Sequence, residues 1–207
     1  DRAHWGESGE TRINAIDLGS IGGDGRPTIF TAGRTGQVKD AQGQTTGELG
    51  QLTAWKLQDS KLKRLASYEW EKEGQSRLRE LKVADVEGDG RLEIFTAGRY
   101  GKEMRPYFGV FRVGPKGFEL VAEPKWQGER LGEVRDIAFY GQGPAFRVVT
   151  IGAEGARPNR QGQLRIWKIV GPRHDLVQDW TAISGDENRV RSAVVWPDKD
   201  GVELLTV

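Results

Sequence analysis

The sequence predicts an all-β fold of four-stranded units, three whole and a fourth begun, and three observations carry that expectation. A tryptophan closes a strand-like run at Trp70, Trp126 and Trp180, with a remnant of the same ending at Trp5, so one pattern returns about every 55–65 residues, as stacked β-units do. An aromatic in an apolar run stands about 15 residues before each closing tryptophan: Trp55, Phe111 and Trp167. Earlier still comes a β-branched run ending in glycine: Ile29–Gly33, Ile94–Gly98 and Val148–Gly152.

Each unit is therefore expected to hold four short strands, A to D. The approximate repeats are 11–70, 77–126 and 131–180, with a partial unit at 188–207 and residues 1–5 as the remnant of a strand D. The fourth unit begins at Ala193-Val194-Val195-Trp196 and stops at Glu203-Leu204-Leu205-Thr206-Val207. Four-stranded units repeated radially make a β-propeller, with strand A lining the central channel and strand D at the outer edge. Alternation such as Leu81-Lys82-Val83-Ala84-Asp85 suits sheets packed face to face with their neighbours. Packing between blades is the expected role of Trp55, Trp70, Trp126, Trp167 and Trp180; a sugar-stacking platform is the alternative for a minority of the seven tryptophans.

Composition agrees. Charged residues make up 29% of the 207-residue chain and hydrophobics 36%, while 29 glycines and 8 prolines punctuate the short runs. A chain of this length buries one substantial core, so a single domain over 1–207 is the simplest count. The net charge of +1 does not suit a protein that grips nucleic acid by bulk charge. No run reaches the apolar length of a membrane span, and no signal peptide is visible. With no cysteine, disulfides and cysteine metal sites are ruled out.

The most specific motif is the hairpin joining strands A and B of the second unit. Asp85-Val86-Glu87-Gly88-Asp89-Gly90-Arg91-Leu92-Glu93-Ile94 places acids at positions 1, 3, 5 and 9, with glycines at 4 and 6 to allow a tight loop. That spacing folds carboxylates around one point, as calcium requires of its hard oxygen ligands, and the Arg91 carbonyl at position 7 is able to join them. Here the sequence resembles the FG-GAP, or VCBS-like, repeat of integrin-type propellers, whose hairpin reads roughly Asp-x-Asn-Gly-Asp-Gly-x-x-Asp before a β-branched strand. The resemblance implies one structural calcium ion held by Asp85, Glu87, Asp89, Glu93 and the Arg91 carbonyl, stiffening a hairpin. The plain alternative is a favoured Asp-Gly turn whose acids are solvated.

The other units depart from the motif. In the first, Asp17–Gly25 is longer by three residues and Thr28 replaces the ninth-position acid; in the third, Tyr140–Phe146 carries no acid. The fourth keeps Asp198, Asp200 and Glu203 but has Pro197 where a ligand belongs. The WD type, with repeats of about 40–45 residues and Gly-His and Trp-Asp signatures, fits less well; the kelch type, at about 50, is the runner-up.

Three complete blades and a remainder leave ring closure open. A small four-bladed ring, a ring completed by a homo-oligomer and a fragment of a longer chain are the three explanations, and the stop at Val207 in mid-strand favours the last.

Propeller function usually lies in loops at one end of the channel. The B to C loops are expected to hold Arg34, Lys39, Arg99, Lys102, Arg105, Arg157 and Arg160 against Asp40, Glu48, Glu103 and Glu154. The A to B hairpins hold Asp17, Asp24, Asp85, Glu87, Asp89, Asp198 and Asp200 against Arg26, Arg91 and Lys199. The molecule is thus expected to be basic at one end and acidic at the other. Arg34, Arg99, Arg105, Arg157 and Arg160 form the candidate ligand face, where guanidinium forks suit a carboxylate or anionic sugar; pairing with loop acids or solvent is the alternative. Only His4 and His174 are available as histidines, and no nucleophile triad or phosphate loop is present. The expectation is a noncatalytic module that recognises or assembles a protein or glycan, outside the cytoplasm by resemblance. The alternatives are a calcium-assisted lectin and an accessory propeller of a larger polysaccharide-acting enzyme.

Overall fold

The computed structural model describes residues 11–21, 25–39, 41–70, 76–101, 103–124, 131–155, 160–181, 190–198 and 201–206. The first sheet takes strands β1 (Arg12–Ser20), β2 (Pro27–Lys39), β3 (Thr45–Gln58) and β4 (Lys61–Glu69) in sequence order, every neighbour antiparallel. The second repeats this order with β5 (Arg77–Ala84), β6 (Glu93–Tyr100), β7 (Arg105–Gly114) and β8 (Gly117–Ala122). The third does so with β9 (Gly132–Tyr140), β10 (Arg147–Glu154), β11 (Gln161–Val170) and β12 (Arg173–Thr181). A two-stranded sheet of β13 (Ala193–Asp198) and β14 (Gly201–Thr206) follows. The one helical turn described is a short 3-10 segment at Gly143–Ala145.

Short hairpin connections make sequential antiparallel pairing the cheapest arrangement, and each sheet then has two apolar faces to bury. Phe30, Ala32, Leu52 and Ala54 of the first sheet pack on Leu81, Ile94 and Phe111 of the second. Phe95, Ala97, Phe108 and Val110 of the second pack on Val134, Val148 and Trp167 of the third. Val149, Ile151 and Ile166 of the third meet Ala193. Strands β1, β5, β9 and β13 lie in succession against one another, so the first strands share one seam.

A recurrent bulge explains the glycine that closes each second strand. Pairing of β1 with β2 skips one residue between Ile13 and Ala15, that of β5 with β6 between Leu78 and Glu80, and that of β9 with β10 between Val134 and Asp136. The residues opposite are Gly33, Gly98 and Gly152, where any side chain would collide with the carbonyl oxygens of Arg12, Arg77 and Glu133. Bulges kink a strand and re-aim the extra residue, here Asn14, Arg79 and Arg135.

The aromatic of each third strand is core, as expected: Trp55, Phe111 and Trp167 are all buried. Trp55 and Trp167 also donate their indole N–H, at 2.8 Å, to the hydroxyls of Thr31 and Thr150. Trp70 is buried too, edge-on to Tyr107 and Phe111 at 5.4 and 5.5 Å between ring centres.

Trp180 corrects the packing expectation, being 50% exposed. It stands opposite Leu164, the register that Tyr68 holds opposite Leu52 in the first sheet, and not the place of Trp70. Tyr68 rests on Phe111 of the next sheet's third strand, at 5.0 Å. The sheet that follows Trp180 has only two strands among the described residues and offers no such cover. Trp196 is likewise 61% exposed. Trp5 and Trp126 lie outside the described residues.

Candidate functional site

The bulged seam gathers arginines at one end of the sheets. Each first strand begins where its second strand ends, and this sets Arg12 opposite Arg34 and Arg77 opposite Arg99. Like charges directly across a ladder are destabilising unless something compensates them. Glu48 at the start of β3 is one such compensation. It pairs with Arg34 in its own sheet and accepts from Arg77 Nε at 3.0 Å and Nη2 at 2.9 Å in the next. The backbone makes the same crossing, since the Ser76 N–H donates to the Glu48 carbonyl at 2.8 Å.

Glu133 of β9 does the same one sheet on. It accepts from Arg79 Nε at 2.6 Å and pairs with Arg135 at 3.2 Å, while only 4% exposed. The Arg99 guanidinium is held below its ordinary value by burial first and then by Arg77, with Arg79 and Arg160 acting in the same sense and Glu133 opposing. Arg77, Arg79 and Arg160 thus all act on Arg99, and Glu133 offsets them in part.

The expected ligand face is partly gathered here. Arg99 and Arg160 come together, and Arg34 joins through Glu48. Arg105 begins β7 opposite Tyr100, the neighbour of Arg99, and its Nε donates to Glu103 at 2.8 Å. Arg157 lies outside the described residues, as does Lys102. One expectation is corrected: Arg34 and Arg99 are not loop residues. β2 runs on to Lys39 and β6 to Tyr100, because Thr35 opposite Leu49 and Arg99 opposite Pro106 keep the hairpins paired beyond the glycines. Sequence reasoning missed Arg77, Arg79 and Arg135. The signal was a polar or charged residue at both flanks of an apolar one where each first strand begins: Arg12-Ile13-Asn14, Arg77-Leu78-Arg79 and Glu133-Val134-Arg135.

Further along the seam stand carboxylates. Asp17, expected in an A to B hairpin, is in mid-strand opposite Phe30, and its Oδ2 accepts the Val83 N–H of the neighbouring sheet at 2.8 Å. Asp136 accepts the Ala193 N–H at 2.9 Å and the Ser192 hydroxyl at 2.7 Å. Each braces one first strand to the next. Glu80 lies between them, its carboxyl pushed above the ordinary value of 4.5 by burial, with Asp136 and Asp17 adding to the effect and the Leu81 amide and Lys82 opposing it.

At the opposite end, the loop between β5 and β6 uses its acids inwardly. Asp85 accepts three backbone N–H groups, from Gly88 at 2.7 Å, Asp89 at 3.1 Å and Gly90 at 2.8 Å. Gly88 and Gly90 take φ of 71° and 79°, the left-handed conformation that such a turn requires. Asp89 accepts from the Arg91 amide and side chain, both at 2.8 Å, and the Arg91 guanidinium holds its carboxyl below the usual range. Glu93 accepts the Val86 N–H at 3.0 Å and Arg112 Nε at 2.6 Å, and Glu87 pairs with Arg112 at 3.2 Å. So arranged, the carboxylates converge on backbone amides and on two guanidinium groups. Among the described residues no three His, Asp or Glu side chains gather as metal ligands.

Of the remaining acidic end, Asp24, Lys199 and Asp200 lie outside the described residues, as does His4. His174, expected in a turn, is within β12 opposite Ile169. No protein-family model and no curated protein matches the chain.

Proposed function

We propose that the chain is a noncatalytic β-propeller module of the FG-GAP/VCBS type, a recognition or assembly scaffold whose arginine-rich end receives an anionic group of a protein or glycan. Three similar sheets abutting along their first strands support the propeller reading, since radial repetition is the arrangement that keeps successive first strands adjacent. The observation that carries the binding reading is the gathering of arginines at one end of the sheets, with Arg34 and Arg77 on Glu48, Arg79 on Glu133, Arg99 opposite Arg77, and Arg160 acting on Arg99. Guanidinium groups set on paired strands are pre-organised, so little side-chain entropy is lost when a carboxylate or sulfate docks in the fork geometry.

The test is calorimetric titration with an oligogalacturonate and, separately, with a polyglutamate peptide, in the wild type and in Arg99→Ala and Arg160→Ala. Binding of one anion class that weakens about tenfold or more in both variants supports the reading. Equal affinity in all three proteins, or no binding to either probe, overturns it.

A further inference from the structure

We infer that the guanidinium of Arg112 serves the Asp85–Glu93 loop as its cation, in the position that the resemblance assigns to calcium, so that the folding of this loop is independent of calcium. Arg112 sits on β7 and reaches both acids, with Nε at 2.6 Å from Glu93 Oε1 and Nη2 at 3.2 Å from Glu87 Oε1. The two carboxylates thus converge on one positive charge. Burial works against that charge, but the hydrogen bond that Arg112 donates to Glu93 and the charges of Glu93 and Glu87 more than offset it and hold the guanidinium above its ordinary value.

The comparison among repeats makes the pairing specific. The third strand carries a cation at the same register in every unit: Lys56, Arg112 and Lys168. In the first sheet Lys56 stands opposite Thr28. In the third, Lys168 follows Trp167, whose partner is Val148, so the residue it meets across the ladder is Arg147. On the side of the second strand, the second unit alone of the three sets an acid, Glu93, against that cation, and it is also the unit whose hairpin carries acids at positions 1, 3, 5 and 9.

The carboxylates of Asp85 and Asp89 are engaged as well. Both Asp85 oxygens hold loop amides and Asp89 holds Arg91. A calcium ion takes six to eight oxygen ligands, and binding one here brings a second cation against Glu87 and Glu93, which already face the Arg112 guanidinium.

Thermal melting and native mass spectrometry of the whole chain, in calcium and after chelation, test the inference. The wild type is expected to melt at the same temperature in both and to carry no stoichiometric calcium. Arg112→Ala, which leaves Glu87 and Glu93 facing each other, is expected to melt about 5 °C or more lower in chelator and to recover part of that loss when calcium is added. Arg112→Lys, which keeps the charge, is expected to fall between the two. A wild-type melting temperature that rises with calcium overturns the inference, as does an Arg112→Ala protein that melts like the wild type or ignores calcium. The wild-type measurement decides the matter even if Arg112→Ala does not fold.

Discussion

Replacing Glu133 with Gln removes the negative charge on which two sheets converge and leaves the side-chain volume almost unchanged. Its carboxylate is 5% exposed and holds Arg79 of the second sheet at 2.6 Å and Arg135 of its own sheet at 3.2 Å. Breaking a buried ion pair from one side costs about 3–5 kcal/mol, because the partner charge stays behind unpaired. Arg79 is 33% exposed and Arg135 21%, so water screens part of that cost. The expected loss for Glu133→Gln is therefore about 2–3 kcal/mol. For a chain of this length that lowers the melting temperature by about 4–12 °C. Urea unfolding at neutral pH, run as a cycle with Arg79→Met, gives the coupling, expected at about 1–2 kcal/mol. A Glu133→Gln loss under about 0.5 kcal/mol, the range of a solvent-exposed pair, would refute the claim that this carboxylate ties the second sheet to the third.

Two further outcomes follow from the same seam. Glu80 has a folded pKa above 4.5, so the folded state holds its proton more tightly than the unfolded chain does; its favourable contribution is present below 4.5 and is lost as the pH rises through the folded value. Glu80→Gln should therefore stabilise the protein at pH 7 and give no gain near pH 4, and equal effects at the two pH values in urea melts would exclude burial as the cause. Gly98→Ala drives a methyl against the Arg77 carbonyl and is expected to cost about 1–3 kcal/mol; a loss smaller than about 0.5 kcal/mol would mean that the bulge relaxes freely.

Strand type and order were readable in the sequence because each strand is a local pattern, and the repeat supplied internal copies against which to compare it. The glycine ending the second strand was readable as a column, though its cause, a carbonyl pressed into the Cβ position by a bulge on another strand, was not. Trp70 and Trp180 were read as one column because both close a strand-like run, yet they stand 15 and 13 residues after Trp55 and Trp167 (70−55, 180−167); both fourth strands carry the same bulge, so the shorter spacing puts Trp180 in the register of Tyr68. Arg34 and Arg99 were placed in loops because polar residues surround them, whereas hairpin pairing simply continues past the glycines. The glycines of the Asp85 loop were readable as tight-turn positions, and Gly88 and Gly90 do take positive φ. Which groups its acids would face depended on Arg112, two strands away, and lay beyond any local motif.

The bulge links these observations. In a regular strand Asn14 and Arg79 would follow the ladder's alternation; as inserted residues they point across the seam instead. Asn14 Nδ2 donates to the Leu78 carbonyl of the second sheet at 2.6 Å, and Arg79 Nε donates to Glu133 of the third at 2.6 Å. The first strands of the first two sheets thus use their extra residue to hold the next one, and the glycine opposite is the condition for placing it. At the first seam the tie is a neutral amide on a backbone oxygen. At the second it is an arginine on a buried carboxylate, whose charge also acts on Arg99. The feature that secures the sheets to one another therefore also sets where the positive charge collects. If the binding reading is right, variants at Arg99 and Arg160 should lower anion affinity with little change in unfolding free energy, whereas Arg79→Met should lower both. A measured Arg79→Met effect confined to affinity would separate the seam from the site and break that link.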